Sequence, residues 1–272
     1  MTATKTPVLN TVTAEDDDST AKPRRQAKRR LTARDQLFLE WLVQQYAAPI
    51  DLVAKWYGVR RSWAYEIVKC LRENGVVTCT YASGRASHIP GPMWVVPTRG
   101  TAHAILGTDP GPWTVRPSTA EHLHALGALR LGLVGRSTDH QRWFSERLLA
   151  RALAPIGKGT EIEHSRPYTH DAVMRDVKGK CWAIECELTA KTGDGRMQAV
   201  LRTSVATAIN TLPRLNDLGA DSVAGVIYFC GNSAVRRHVE KAKSALDNDI
   251  ARYVHVRDLD AYMGGFKKQV LS

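Results

Sequence analysis

Two carboxylates stand one residue apart inside an apolar run, Trp182-Ala183-Ile184-Glu185-Cys186-Glu187-Leu188. In an extended strand successive side chains alternate faces, so Glu185 and Glu187 share one side while Trp182, Ile184, Cys186 and Leu188 take the other. Asp171 lies just upstream in a second strand-like run, Thr169-His170-Asp171-Ala172-Val173-Met174. Acids enter buried strands at high cost unless something pairs with them or binds them. A hard divalent cation, Mg²⁺ or Mn²⁺, seeks clustered carboxylate oxygens, which makes Asp171 and Glu185 a candidate metal site. A plainer reading leaves Glu185 and Glu187 on the solvent face of a half-exposed strand. On that reading His170 is a packing or hydrogen-bonding residue rather than a ligand.

Composition narrows the setting for such a site. The chain of 272 residues carries a formal net charge of +11, with 43% hydrophobic residues, enough for ordinary cores in one or two domains. A positive surplus of that size favours a polyanionic partner, and double-stranded DNA is the first expectation. The five cysteines include no Cys-x-x-Cys pair, and an odd count argues against a disulfide framework. Cys181 and Cys186 fall on opposite strand faces, which disfavours zinc. No Gly-x-x-x-x-Gly-Lys-Ser/Thr occurs, so no nucleotide cofactor is expected. The N-terminus shows no apolar leader and no stretch reaches membrane-spanning length, so the expectation is a cytoplasmic protein with no membrane partner.

The elements that must position these residues fall into two blocks. Residues 1–30 are polar, with Glu15-Asp16-Asp17-Asp18 followed by a basic block from Lys22 to Arg30, and read as a disordered charged tail. Thr32-Ala33-Arg34-Asp35 is a capping signal, and Phe38, Trp41, Leu42 and Gln45/Tyr46 follow at helical spacing, which predicts a helix over about 33–46. Pro49 opens a second short helix, Gly58-Val59 makes a turn, and Ala64, Ile67, Val68 and Leu71 stripe a third helix over about 61–73. Strands at Val76–Tyr81 and Met93–Val96 flank a long polar loop, and Arg99–Leu106 forms a short helix. Residues 108–117, rich in Gly and Pro, read as a linker. From 118 onward a capping box at Ser118–Glu121 leads a helix, and residues 139–154 read as another. Strands are then expected at 161–166, 169–175 and 181–188, a helix at 194–212, a buried strand at 222–229, a basic helix at 233–246 and a last strand at 252–256.

The first block, about residues 31–107, resembles the winged-helix family in its element order: helix, short helix, Gly-containing turn, helix, hairpin. The second block, residues 118–272, resembles the PD-(D/E)XK nuclease superfamily, whose core is a mixed sheet flanked by helices. The fold expected is thus α+β, an N-terminal winged helix-turn-helix followed by an α/β nuclease-like domain. That resemblance implies a helix acid at Glu146 in Trp143-Phe144-Ser145-Glu146-Arg147, metal ligands at Asp171 and Glu185, and a Lys at 187. The sequence departs there, because Glu187 stands where the Lys is expected; Lys191 would supply the ammonium from four residues on. Glu146 also has a bland alternative, a surface pair with Arg142 or Arg147. Taken together, Trp143-x-x-Glu146-Arg147, His170-Asp171-Ala172-Val173 and Ala183–Lys191 after a winged helix resemble the replication-relaxation family of actinobacterial plasmids, phages and integrated mobile elements. That likeness covers most of residues 31–230 and implies DNA binding in replication, relaxation or mobilisation, with metal-dependent nicking or cleavage by Glu146, Asp171, Glu185, Glu187 and Lys191.

In a winged helix the third helix enters the major groove with its N-terminal residues leading. Arg60, Arg61, Ser62, Tyr65, Glu66 and Lys69 lie opposite its apolar stripe, so Arg60, Arg61, Ser62, Tyr65 and Lys69 are candidate DNA contacts, with Arg85 and His88 at the wing tip. Trp63 is open to two readings, packing against the neighbouring helix, which is favoured, or contact with a base. Arg236, Arg237, Lys241, Lys243, Lys267 and Lys268 add a basic face or merely a solvated one. His122-Leu123-His124 has the letters of a relaxase metal site, but i and i+2 residues diverge around a helix. The rival to an enzyme is a DNA-binding regulator or initiator whose second domain keeps a nuclease-like fold for dimerisation, as a homodimer, or for DNA shape recognition.

Overall fold

The computed structural model describes residues 30–81, 93–154, 168–191, 195–215, 218–219 and 222–263. The expected tail, the strand at 161–166, and Arg85, His88, Lys267 and Lys268 lie outside the described residues.

The first block opens with α1 (Ala33–Gln44), held at its start by a reciprocal capping box in which the Thr32 hydroxyl accepts from the Asp35 amide and the Asp35 carboxylate accepts from the Thr32 amide. A two-residue strand, β1 (Ala48–Pro49), precedes α2 (Ile50–Tyr57), which ends on left-handed Gly58. Then come α3 (Arg61–Glu73), β2 (Val77–Tyr81), β3 (Met93–Pro97) and α4 (Arg99–Leu106). The three strands form an antiparallel sheet in the order β1-β3-β2. Phe38, Trp41 and Leu42 of α1, Leu52, Val53 and Trp56 of α2, and Ala64, Val68 and Leu71 of α3 share one core, as the helical spacing predicts.

In the second block α5 (Pro117–Val134) starts without the expected capping box. Pro117 occupies the first helical position with Arg116 as N-cap, so Ser118 is already inside the helix and cannot cap it. The helix expected over 139–154 divides in two. Trp143–Ser145 is a strand, β4, and only Glu146–Leu153 is helical, α6. Alternation explains the split: as a strand the segment sends Trp143 into the core on one sheet face and Phe144 into the core on the other. There follow β5 (Ala172–Arg175), β6 (Cys181–Glu187), α7 (Arg196–Asn210), β7 (Val223–Cys230), α8 (Ser233–Ser244), α9 (Asn248–Ala251) and β8 (Val254–Asp258). The five strands lie in the order β4-β5-β6-β7-β8, antiparallel across β4-β5-β6 and parallel across β6-β7-β8. Side chains of α6, α7 and α8 pack on one face and those of α5 on the other. The fold class is therefore α+β with a mixed sheet flanked by helices. No described helix is long and apolar enough to cross a membrane.

Helix α5 belongs to both blocks. Leu123 and Ala120 pack with Trp94 and Val96, Ala128 enters the core around α1–α3, and Leu126 and Leu129 pack under Ile184 and Phe229. Gly127 allows the approach to α2, since a Cβ there would lie 2.7 Å from the Leu52 side chain. Arg130, fully buried, is the polar link. Its guanidinium donates to Gln44 Oε1 (2.6 Å) and the Ser137 carbonyl (3.0 Å), between the indoles of Trp41 and Trp143. Burial pushes its pKa down to about 9. Arg147 reaches the Val43 carbonyl at 2.8 Å and Gln44 donates to the Thr138 carbonyl at 3.1 Å.

Arg130→Ala removes the packed stem and leaves the Gln44 and Ser137 oxygens without their donor. We predict a loss of about 2–4 kcal/mol in urea unfolding. Arg130→Met keeps the stem and removes the buried charge, so its loss should be smaller. Equal and negligible losses for both would contradict the role assigned to this side chain.

Candidate active site

Strand register sets the site. Ser145 pairs with Ala172, and Ala172 pairs with Ile184, across β4-β5-β6. One step further along the same ladder stand Glu146, Asp171 and Glu185, and the Glu146 amide donates to the Asp171 carbonyl at 2.9 Å. Directly opposite residues on neighbouring strands point to the same face and lie roughly 5 Å apart. The three acids thus fall in line at one end of the sheet, Glu146 opening α6, Asp171 just before β5 and Glu185 within β6, and Tyr228 of β7, paired with Glu185, extends the row. The alternation inferred for β6 is present: Cys181 and Ala183 precede the acids in the core on one face, while Ile184 and Cys186 pack with α5 on the other.

Each acid has a distinct set of partners. Asp171 Oδ1 lies 3.1 Å from His122 Nε2 of α5, and Oδ2 accepts from the Cys186 amide at 2.7 Å. Glu185 Oε1 accepts from the Tyr168 hydroxyl at 2.9 Å and lies 2.6 Å from His170 Nδ1. His170 is fully buried, and its Nε2 finds no partner among the described residues. Tyr228 meets Ser204 of α7 at 2.5 Å. Glu187 closes an ion pair with Lys191.

The electrostatics follow from that crowding. Burial, then repulsion from Asp171 and Glu185, raises the Glu146 pKa, and His122 partly offsets it. Burial raises Glu185 too, against the pull of its hydrogen bond from His170. Burial alone would lower His122, but the Asp171 carboxylate, helped by Glu146 and Glu185, outweighs it and lifts the imidazole to about 9. Burial and the Glu185 charge push the Tyr168 phenol far above its ordinary value, and Tyr228 is raised well above its own for the same two reasons. The row is a site of concentrated negative charge next to one imidazolium.

Glu146, Asp171 and Glu185 are brought together, while Glu187, two residues on, is engaged by Lys191. Arg147, offered above as a surface partner for Glu146, instead reaches the Val43 carbonyl. His122 and His124 do diverge: His124 pairs with Asp51 of α2 at 2.8 Å. His122, Tyr168 and Tyr228 are site neighbours that the sequence did not reveal, because the register of α5 and of β7 against β6 is a long-range property. His170 was legible only as a hydrogen-bonding residue beside Asp171, which it is.

On α3, Arg60, Arg61, Ser62, Tyr65, Glu66 and Lys69 are exposed, and the Arg61 guanidinium lies 5.9 Å from the Tyr65 ring centre. Trp63 corrects the sequence expectation. It stands 65% exposed, because it falls on the flank of α3, about a quarter-turn from the stripe of Ala64, Val68 and Leu71. On α8, Arg236 is paired with Glu240 (2.9 Å) and Asp258 (2.6 Å), and Lys243 donates to the Val254 carbonyl, so part of that basic face is internally satisfied.

The acids suit a hard divalent cation in kind, since all are oxygen donors. Among the described residues, however, no three His, Cys, Asp or Glu side chains converge on a common ion position. Asp171 and Glu185 instead face His122 and the His170–Tyr168 pair. No protein-family model matches this chain, and no curated protein matches it either.

The raised His122 pKa carries a linkage consequence. A histidine whose folded pKa lies above its unfolded value contributes stability that is fully present below about pH 6.5 and is lost as pH rises through about 9. Its side chain is 35% exposed, so screening reduces the effect, and we expect about 1–2 kcal/mol to disappear between pH 6.5 and 9.5. Urea titrations across that range check it. The decline should flatten in His122→Ala, and an unchanged slope in that variant would refute the assignment.

Proposed function

We propose that this chain is a DNA-binding protein that docks α3 on duplex DNA and acts on a phosphodiester at the row Glu146–Asp171–Glu185. The observation that carries the reading is the shared register of those three acids across β4-β5-β6. The order α1-α2-α3 followed by the antiparallel pair β2-β3, with Arg60, Arg61, Ser62, Tyr65 and Lys69 exposed on α3, supports a winged helix-turn-helix that presents α3 to the major groove. The net charge of +11 supports a polyanionic partner. The mixed sheet, with Glu185 in β6, Asp171 just before β5 and Glu146 at the start of α6 in line with them, supports a PD-(D/E)XK nuclease-like second domain. A role in replication, relaxation or mobilisation of element DNA fits both halves.

On this reading Asp171 and Glu185 would hold Mg²⁺ or Mn²⁺, with Glu146 beside them. Such an ion supplies Lewis acidity and a bound water of lowered pKa. The chain's own residues do the positioning. The Cys186 amide fixes one oxygen of Asp171, and Tyr168 and His170 orient Glu185. His122 places positive charge beside the row, where a phosphate must approach. Lys191 neutralises Glu187, the residue that replaces the family's Lys.

A second reading has its own support. Asp171 and Glu185 already paired with histidines, and the lack of three ligands converging among the described residues, favour a regulator or initiator with an inactive second domain.

A supercoiled-plasmid assay in Mg²⁺ or Mn²⁺ separates the two. The enzyme reading expects nicked or linear product from the wild type and a loss of at least about a hundredfold in Asp171→Ala and Glu185→Ala, the scale on which electrostatic catalytic groups act. Identical traces for all three leave the regulator. Arg61→Ala should weaken binding to some duplex sequences more than others; no binding of the wild type to any duplex at low salt would end both readings.

A further inference from the structure

The five-stranded sheet carries a second polar site at the opposite end of β5 and β6 from the acids. The chain turns there through Asp176–Lys180, and Arg175, Lys178, Lys180, Cys181 and Ser222 line a cavity of about 350 Å³. Four residues of strand, roughly 13 Å, separate it from Asp171 and Glu185. Val173 and Ala183, buried under α6 and α7, lie between. The two sites are therefore distinct openings.

Its chemistry is the inverse of the row's. Among the described residues, three cations stand beside one carboxylate, and that carboxylate is already committed. Asp176 accepts from the Lys178 amide (2.8 Å), the Lys180 amide (2.9 Å) and the Trp182 indole (3.0 Å). These bonds, with left-handed Gly179, fix the turn that presents both lysines. Arg175 donates only to carbonyls, the shortest bond being 2.8 Å to Gly219. Among the described residues no carboxylate forms an ion pair with Arg175, Lys178 or Lys180. Among the described residues, this recess ringed by a planar guanidinium and two lysine side chains holds no carboxylate paired with them. The anion that suits a guanidinium charge, held in place by carbonyls, beside two lysine side chains is a phosphate.

We propose that Arg175, Lys178 and Lys180 form a phosphate-binding site. The occupant is a phosphate group, carried on a nucleic-acid backbone or free in solution. Binding to the backbone rests on the DNA reading above; binding of free phosphate does not.

Two measurements on the full chain test it, comparing the wild type with the double variant Lys178→Ala/Lys180→Ala. Both lysines are exposed, so the variant should fold, and its circular dichroism and urea midpoint should match the wild type. Arg175 is left intact because it holds the Gly219 loop. In the first measurement, affinity for two duplexes of unrelated sequence is followed against salt. Backbone binding expects a loss of roughly tenfold on both duplexes alike, with the log–log salt slope shallower by about 1.8 for two released contacts. In the second, inorganic phosphate is titrated by calorimetry, and the wild-type heat should vanish in the double variant. A lysine-dependent phosphate signal with DNA binding unaltered, or with no DNA binding by the wild type, identifies free phosphate or a small phosphate ester as the occupant. It supports the site even if the DNA reading fails. Unchanged DNA binding together with an unchanged or absent phosphate signal overturns the proposal.

Discussion

Three carboxyl groups in line at one end of a sheet repel one another, and the way this molecule answers that repulsion organises much else. Two unit charges roughly 5 Å apart in a half-buried setting cost about 3 kcal/mol. Part of the response is an upward shift of the Glu146 and Glu185 pKa values, driven first by burial and then by the neighbouring carboxylates. Part is hydrogen bonding from within the sheet, through the Cys186 amide, Tyr168 and His170. The remainder comes from outside it, because His122 is carried in on α5. The charge state of the row is thus tied to the seating of a helix that is also part of another core.

That helix links the halves by unlike means. Leucines and alanines fill the space on both sides, Gly127 admits α2, and His124 meets Asp51 two residues along the helix from where His122 meets Asp171. Arg130 adds a buried charge without a carboxylate, satisfied by Gln44 and main-chain carbonyls and flanked by two indoles. A shift of α2 has a short physical route, through α5, to the acids.

The sequence was most informative where the interactions are local. The helical stripes of α1, α2 and α3, the Thr32–Asp35 cap and the facing of Glu185 and Glu187 all follow from spacing within one segment. It was least informative where pairing partners are distant. Strand β4 was hidden because Trp143–Ser145 runs directly into α6, and three residues are too few to show a period. The register that aligns 146, 171 and 185 is set by hydrogen bonds between segments, so the sequence offered the acids but not their alignment. The His122 and His124 pair is similar. Adjacent letters on one helix serve two different carboxylates, and only the placement of α5 shows which. Trp63 failed for another reason: an aromatic at the edge of an apolar stripe was assigned to a core that its helix turns away from.

The dual membership of α5 also bears on how the chain is made. As synthesis proceeds from the N-terminus, residues 30–106 leave the ribosome before the helix that covers Trp94 and supplies Ala128 to their core. Until about residue 134 has emerged, the first sheet has an open apolar side. Nascent chains of this protein therefore carry that apolar side uncovered until the helix has been made.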